Sequence, residues 1–231
     1  MSSYKLFDII GPRMIGPSSS HTAGAARLGN VASRILGNQV RTAEITLYGS
    51  FAQTGKGHGT DKAIIAGLLG FAPDDLRIRN AYQEARKRGM EVQMVLSTQE
   101  MPHPNTARIR AEGANGLRID MVGVSLGGAV IEVRQLNGMD VAFRCEYPTL
   151  LVFHQDQPGV IRQVTEVLEN AQANIAFMRV FRNAKRKVAC MIIETDDQIP
   201  PESIRAIQNL KPVIREVCTL GVMNFTTAVS C

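Results

Sequence analysis

The sequence predicts a two-domain mixed α/β protein, an α/β domain followed by a ferredoxin-like βαββαβ module, and three observations carry that prediction. The chain has 231 residues with 45% apolar content, enough for two ordinary cores. Its first hundred residues alternate strand-like runs with helical periods, each joined by a polar loop. Residues 150–219 then read strand, helix, strand, strand, helix, strand, the order of the split βαβ unit.

Taken in order, residues 6–10 form a short apolar strand, and residues 11–20 a turn rich in Gly, Pro and Ser. Small and apolar residues at helical spacing (Ala25, Leu28, Ala32, Ile35) predict a helix over 21–36, capped by the preceding serines and closed by Gly37. Residues 43–48 alternate as a strand, 55–60 read as a second flexible loop, and 61–69 as a short apolar helix with an acidic first turn. A charged amphipathic helix over 76–88 leads to a strand at 91–96 and a third loop at 101–105. Residues 106–146 form an antiparallel meander, punctuated by turn signals at 114–116, 127–128 and 137–138. In the second module the strands fall at 150–153, 175–181, 188–194 and 213–219, and the helices at 160–170 and 201–210.

Composition narrows the function classes. The net charge is +5, but the 26 Lys and Arg are spread along the chain. Only residues 179–187 are locally basic, and they read as the solvated tip of a hairpin, so nucleic acid is not expected as a partner. No apolar run approaches the roughly 20 residues that span a bilayer, and the start lacks the layout of a signal peptide, so no membrane role is expected. Cys145, Cys190, Cys218 and Cys231 are widely spaced with no CxxC pair. They read as reduced thiols of a cytoplasmic protein, and no metal site is expected from this chain alone. The glycines match neither GxGxxG nor the P-loop, and Lys56 and Lys62 lack a phosphate cradle that would suit pyridoxal phosphate.

Three loops carry the residues that could do chemistry. The first, from Gly16 to Thr22, sets Ser18, Ser19, Ser20, His21 and Thr22 at a helix start, where hydroxyls and unbonded N–H groups suit a carboxylate or phosphate. A helix cap alone needs one serine. In the second, Gly57 and Gly59 flank His58 and let a substrate approach the imidazole, while Thr60 and Asp61 can cap the next helix. In the third, Pro102 and Pro104 fix the backbone around His103, and Asn105 can donate to an oxyanion. Each alone is an ordinary turn; three histidine loops in one domain point jointly to an active site.

The motifs IGPSSSHTAGAARLG from Ile15, YGSFAQTGKGHGTDKAI from Tyr48 and HPNT from His103 occur in that order. Together they resemble the beta chains of bacterial iron–sulfur L-serine dehydratases (L-serine ammonia-lyases), and the resemblance runs over residues 7–220. It implies a first domain, residues 1–147, similar to the allosteric substrate-binding domain of some phosphoglycerate dehydrogenases, an ACT domain over 148–220, and a tail over 221–231 that contains Cys231. It also implies dehydration of L-serine to pyruvate and ammonia at a [4Fe-4S] cluster instead of pyridoxal phosphate, with the cluster cysteines on a separate alpha chain.

On that resemblance His58 or His103 is the base and the other an acid or orienter. Ser18, Ser19, Ser20, His21 and Thr22 with Asn105 hold the serine carboxylate, and Gly59, Thr60, Asp61 and Thr106 complete the substrate site. In the ACT domain the turn Gln155, Asp156, Gln157, Pro158, Gly159, beside His154, is the expected effector site, and a beta–beta contact through that domain is expected. The alternative is a purely regulatory subunit that binds an amino acid and an anion without catalytic residues. The histidines favour the enzyme, because effector binding would more naturally use Arg and Lys.

Overall fold

The computed structural model describes residues 14–37 and 39–222, with Lys56 described by its backbone alone. The strand expected at residues 6–10 and the position of Cys231 lie outside the described residues. The chain divides into two compact units, one running to Asn137 and the other from Gly138.

In the first unit a π-helical turn, Ser19–Gly24, runs directly into α1 (Ala25–Ile35). There follow β1 (Val40–Tyr48), α2 (Gly49–His58), α3 (Thr60–Leu68), α4 (Ala81–Lys87), β2 (Glu91–Leu96), β3 (Thr106–Gly113), β4 (Arg118–Gly127) and β5 (Val130–Leu136). The sheet order is β2-β1-β3-β4-β5; β1 and β2 run parallel, and β1–β3, β3–β4 and β4–β5 pair antiparallel, while the next strand, β6 (Met139–Phe143), falls in the second unit.

Alternation along β1 and β3 decides which face is covered. Ala43, Ile45, Leu47, Ala107 and Ile109 are buried with Leu28, Val31, Ile64 and Leu68 of the helices, and each fully buried Leu or Ile side chain contributes about 1.5–3 kcal/mol. Thr42, Glu44, Arg108, Arg110 and Asp120 occupy the other face, where Arg108 holds Asp120 through two bonds of 2.8 and 2.6 Å and Arg110 holds Glu44 at 2.9 Å. Helices α1 and α3 approach so closely that a Cβ on Gly29 would strike the Ile64 carbonyl, and one on Gly67 the Ala26 carbonyl.

Two segments depart from the expected reading. Residues 55–60 are not a loop: β1 passes straight into α2, which ends only at Gly59 with a left-handed φ of 70°. Its glycines argue against a helix, but fully buried Phe51 anchors the first turn, and the Phe51 N–H reaches the Pro104 carbonyl at 3.4 Å. Tertiary packing thus overrides propensity. Residues 76–88 divide into a 3₁₀ turn, Leu76–Asn80, and α4, because Asp75 caps the Arg77 N–H at 2.8 Å and Asn80 leaves helical geometry with φ −114° and ψ 24°.

The second unit has the expected order: β7 (Thr149–Gln155), α5 (Val160–Asn170), β8 (Ile175–Arg182), β9 (Val188–Thr195), α6 (Pro201–Gln208) and β10 (Ile214–Leu220). Its antiparallel sheet is ordered β10-β7-β9-β8. Leu150, Val152, Met191 and Ile193 from the strands meet Val160, Val164, Leu168 and Ile207 from the helices in one core. None of the described helices is long and apolar enough to cross a membrane.

Candidate active site

The site is assembled where β1 ends and α2 begins. Ser18 caps the π-helical turn by accepting the His21 N–H at 3.2 Å, and its hydroxyl also lies 3.3 Å from His21 Nδ1. On the other side of the ring, His21 Nε2 lies 3.0 Å from Thr54 Oγ1 and 3.2 Å from Ser50 Oγ. The Thr54 hydroxyl spends its proton on the Ser50 carbonyl at 2.9 Å, so it accepts from His21 Nε2–H. Nδ1 is therefore the acceptor for Ser18. His21 is buried, and burial first, then the adjacent His58, push its pKa below the usual histidine value. It is a neutral, doubly bonded ring set edge-on to Phe51, with centroids 5.1 Å apart.

His58 stacks obliquely on His21 with ring centroids 4.9 Å apart. Its Nδ1 lies 3.1 Å from the Thr54 carbonyl. A carbonyl only accepts, so Nδ1 carries the proton and Nε2 is left as the basic nitrogen of the ring. His58 also lines a cleft of about 290 Å³ with Gly57, Gly59 and Lys62.

His103 has the opposite tautomer. Its Nδ1 accepts the Asn105 N–H at 3.2 Å, which puts the proton of the neutral ring on Nε2. Burial first, then the Arg134 cation, lower its pKa, against the Glu132 carboxylate, which raises it. Thr106 fixes the turn by donating to the His103 carbonyl at 2.5 Å. Asn105 ties the loop to β4: its carbonyl accepts the Ser125 N–H at 3.0 Å and its side-chain amide donates to the Ser125 carbonyl at 3.4 Å.

The structure thus joins Ser18, His21 and His58 and brings the third loop onto the first turn of α2, through Phe51 and Pro104. It does not use every expected residue in the same way. Asp61 accepts the Tyr82 hydroxyl at 3.0 Å, and Tyr82 is pushed up to about 12 by burial and then by the Asp61 charge. The hydroxyls of Thr22, Thr60 and Ser125 are buried with no hydrogen-bond partner, and Gly24 packs so tightly that a Cβ there would meet Ser125 Oγ. Ser19 and Ser20 are half-buried at the helix start. Ser50, Thr54 and Ser125 were not expected. The i, i+4 spacing of Ser50, Thr54 and His58 marks them once residues 49–58 are read as a helix.

In the second unit the 155–159 turn is tied to the hairpin between β8 and β9. Asp156 accepts from Arg182 at 3.0 Å and from the Arg186 N–H at 2.9 Å, and its own N–H donates to the Lys187 carbonyl at 2.8 Å, so the basic run at 179–187, which spans the end of β8 and the hairpin tip, has three of its residues bound to the turn. The Arg186 N–H first, and then the Arg182 guanidinium, hold the Asp156 carboxyl below its usual range. His154 is buried, with Nδ1 donating to the Gln155 carbonyl at 2.9 Å. Gly159 enters α5 with a left-handed φ of 89°.

Among the described residues no three of His, Cys, Asp and Glu converge to hold a metal, and Cys145, Cys190 and Cys218 are each buried in the second unit. Burial first, then nearby Cys218, drives the Cys190 thiol up to about 12. The described cysteines are therefore not assembled as a ligand set for an iron–sulfur cluster.

The serine dehydratase beta chain family matches residues 2–135, and the ACT domain family matches residues 148–211. The chain is 41% identical over 215 residues to a probable L-serine dehydratase, beta chain, of Bacillus subtilis, covering 93% of this chain and 97% of the relative. It is 37% identical over 231 residues to the L-serine dehydratase, beta chain, of Peptoniphilus asaccharolyticus, covering 99% and 98%. It is also 28% identical over 203 residues to a D-3-phosphoglycerate dehydrogenase of Methanocaldococcus jannaschii, which spans 86% of this chain and 37% of that protein. The chain belongs to the serine dehydratase beta-chain family, and an ACT domain follows its family domain.

Proposed function

We propose that this chain is the beta subunit of an iron–sulfur L-serine dehydratase of the cytoplasm. With an alpha chain it removes water from L-serine to give aminoacrylate, which hydrolyses to pyruvate and ammonia. Two relatives of nearly the same length, named as L-serine dehydratase beta chains, support the reading. The [4Fe-4S] group, held by alpha-chain cysteines, supplies Lewis acidity for the departing hydroxide, and pyridoxal phosphate has no part. Residues 1–147 form the domain that bears the substrate site and residues 148–220 the ACT domain. The turn from Gln155 to Gly159 receives an amino-acid effector, and ACT domains of two beta chains pair.

Dehydration needs a base for the α-proton and a donor at the β-oxygen. His58 Nε2 takes the α-proton, and the Thr54 carbonyl, already bonded to Nδ1–H, stabilises the imidazolium that forms. His21 is a positioning residue: it fills the space behind His58 and is held by Ser18, Ser50 and Thr54. His103, protonated on Nε2, is the donor or orienter, and the Ser18–Thr22 turn with Asn105 lines the substrate site.

The observation that carries this reading is the pinned tautomer of His58 against a buried neutral His21. The test is anaerobic co-purification with the alpha chain and measurement of serine-to-pyruvate turnover. His58→Ala lowers kcat by about 10² or more, the contribution of a general base. Near-normal turnover by both His58→Ala and His103→Ala contradicts the catalytic reading and favours a regulatory subunit.

A further inference from the structure

The cleft beside His58 carries a charge to which the catalytic reading assigns no role. Besides His58 and glycines it is lined by Lys62 of α3 and Arg79 of the 3₁₀ turn, with Ile15 and Ile78 as apolar walls, and among the described residues no carboxylate lines it. The neighbouring cations are engaged: Arg77 with Asp75 at 2.6 Å, Lys87 with Glu84 at 2.6 Å, and Arg88 with the Leu69 carbonyl at 2.9 Å. Among the described residues Lys62 and Arg79 have no hydrogen bond or ion pair. The one acidic residue in the first turn of α3, Asp61, is bonded to Tyr82.

The backbone adds to that field. Helix α3 begins at Thr60 with Gly59 as its N-cap, and no side chain caps it. Its first N–H groups are left without a side-chain cap, and the first-turn carboxylate, Asp61, is bonded to Tyr82. A Cβ built on Gly57 or Gly59 would find nothing within 4 Å, so the surface beside His58 is open to a small molecule.

We infer that Lys62 and Arg79 form a carboxylate-binding subsite that seats the α-carboxylate of an amino-acid substrate beside His58 Nε2. This rests on the reading of His58 as the base. Two cations on one side of the substrate fix which end enters the cleft and place the α-carbon, next to the carboxylate, near the imidazole. The subsite thus sets specificity for a free α-carboxylate over an amide.

Two measurements separate the subsite from the proposed reaction. In the co-purified enzyme, Lys62→Gln and Arg79→Gln each raise KM for L-serine about tenfold with kcat within a few-fold, the loss expected for one charge-assisted bond. Both side chains are exposed, so the variants keep the fold. In the full-length chain alone, the His58 ring resonances shift saturably with L-serine and with acetate but not with L-serine amide, and the double variant abolishes the response. Unchanged KM in both variants, or an equal response to L-serine and its amide, overturns the subsite even where His58→Ala abolishes turnover. A carboxylate response lost in the double variant, in an enzyme that His58→Ala leaves active, upholds the anion subsite and refutes the assignment of His58.

Discussion

The first unit and the second both lead a polar segment into a helix N-terminus, yet the two segments end in different chemistry. At His58, the last residue of α2, the segment is held by residues distant in sequence: His21 binds Ser50 and Thr54 across 29 and 33 residues, and Pro104 meets the first turn of α2. At the 155–159 turn the only acidic side chain, Asp156, is closed onto Arg182 and Arg186 of the adjoining hairpin. A loop becomes a reactive site when distant segments fix a titratable ring and leave one of its nitrogens unspent. A loop whose charge is satisfied by its neighbour becomes a brace. The glycines differ in the same sense, since those beside His58 open a cleft and Gly159 only turns the chain into α5.

The strongest way to break the comparison is to remove the rings. His58→Ala lowers kcat by about 10² or more, whereas Asp156→Asn leaves the chemical step unchanged and shows itself in faster amide exchange of the 182–188 hairpin. Loss of turnover in the second with no change in the first would reverse the roles of the two loops. His103→Gln, which keeps a donor in the loop, lowers kcat less than His103→Ala, by roughly tenfold between them; equal losses would show that the ring's Nε2–H is not used.

The hydroxyl shell around His21 sharpens the comparison further. Thr54→Val removes the acceptor for the buried Nε2–H and costs about 1–3 kcal/mol of stability, read by chemical denaturation. The same substitution at Thr165, whose hydroxyl donates only to carbonyls of its own helix, leaves no ring N–H unpaired and costs much less.

The smallest effect is on pH dependence. His21 and His103 have folded pKa values below the ordinary one, so below that ordinary value the unfolded chain binds more protons than the folded one. Their contribution is fully present above the ordinary histidine pKa and is lost as pH falls through the interval down to the folded values. Thermal melts over pH 7 to 5 check this: the wild type loses melting temperature faster than His21→Gln, and parallel curves would refute it.

Much of the fold was legible because local patterns agreed with the tertiary structure. Helix α5 falls at residues 160–170 as expected, with Val160, Val164 and Leu168 at helical spacing on the core. Strand β2 alternates cleanly and falls at 91–96. Residues 55–60 read as a loop because their glycines report weak propensity, while the helix that includes 55–58 is anchored by the burial of Phe51 against the loop at Pro104. The site was legible as residue types, His21, His58 and His103 among hydroxyls. Its wiring was not, because Ser50, Thr54 and Ser125 become partners only when β1, α2 and β4 are brought together. Nor could periodicity show that Asp61 is bonded to Tyr82, or that Lys62 and Arg79 share a cleft.

The central claim, that His58 and His103 carry their ring protons on opposite nitrogens, is tested most directly by long-range ¹H–¹⁵N correlation spectra of the histidine-labelled full chain at mildly alkaline pH. The account predicts a protonated Nδ1 and bare Nε2 for His58, and a bare Nδ1 and protonated Nε2 for His103. A proton on His58 Nε2 would contradict its role as the base.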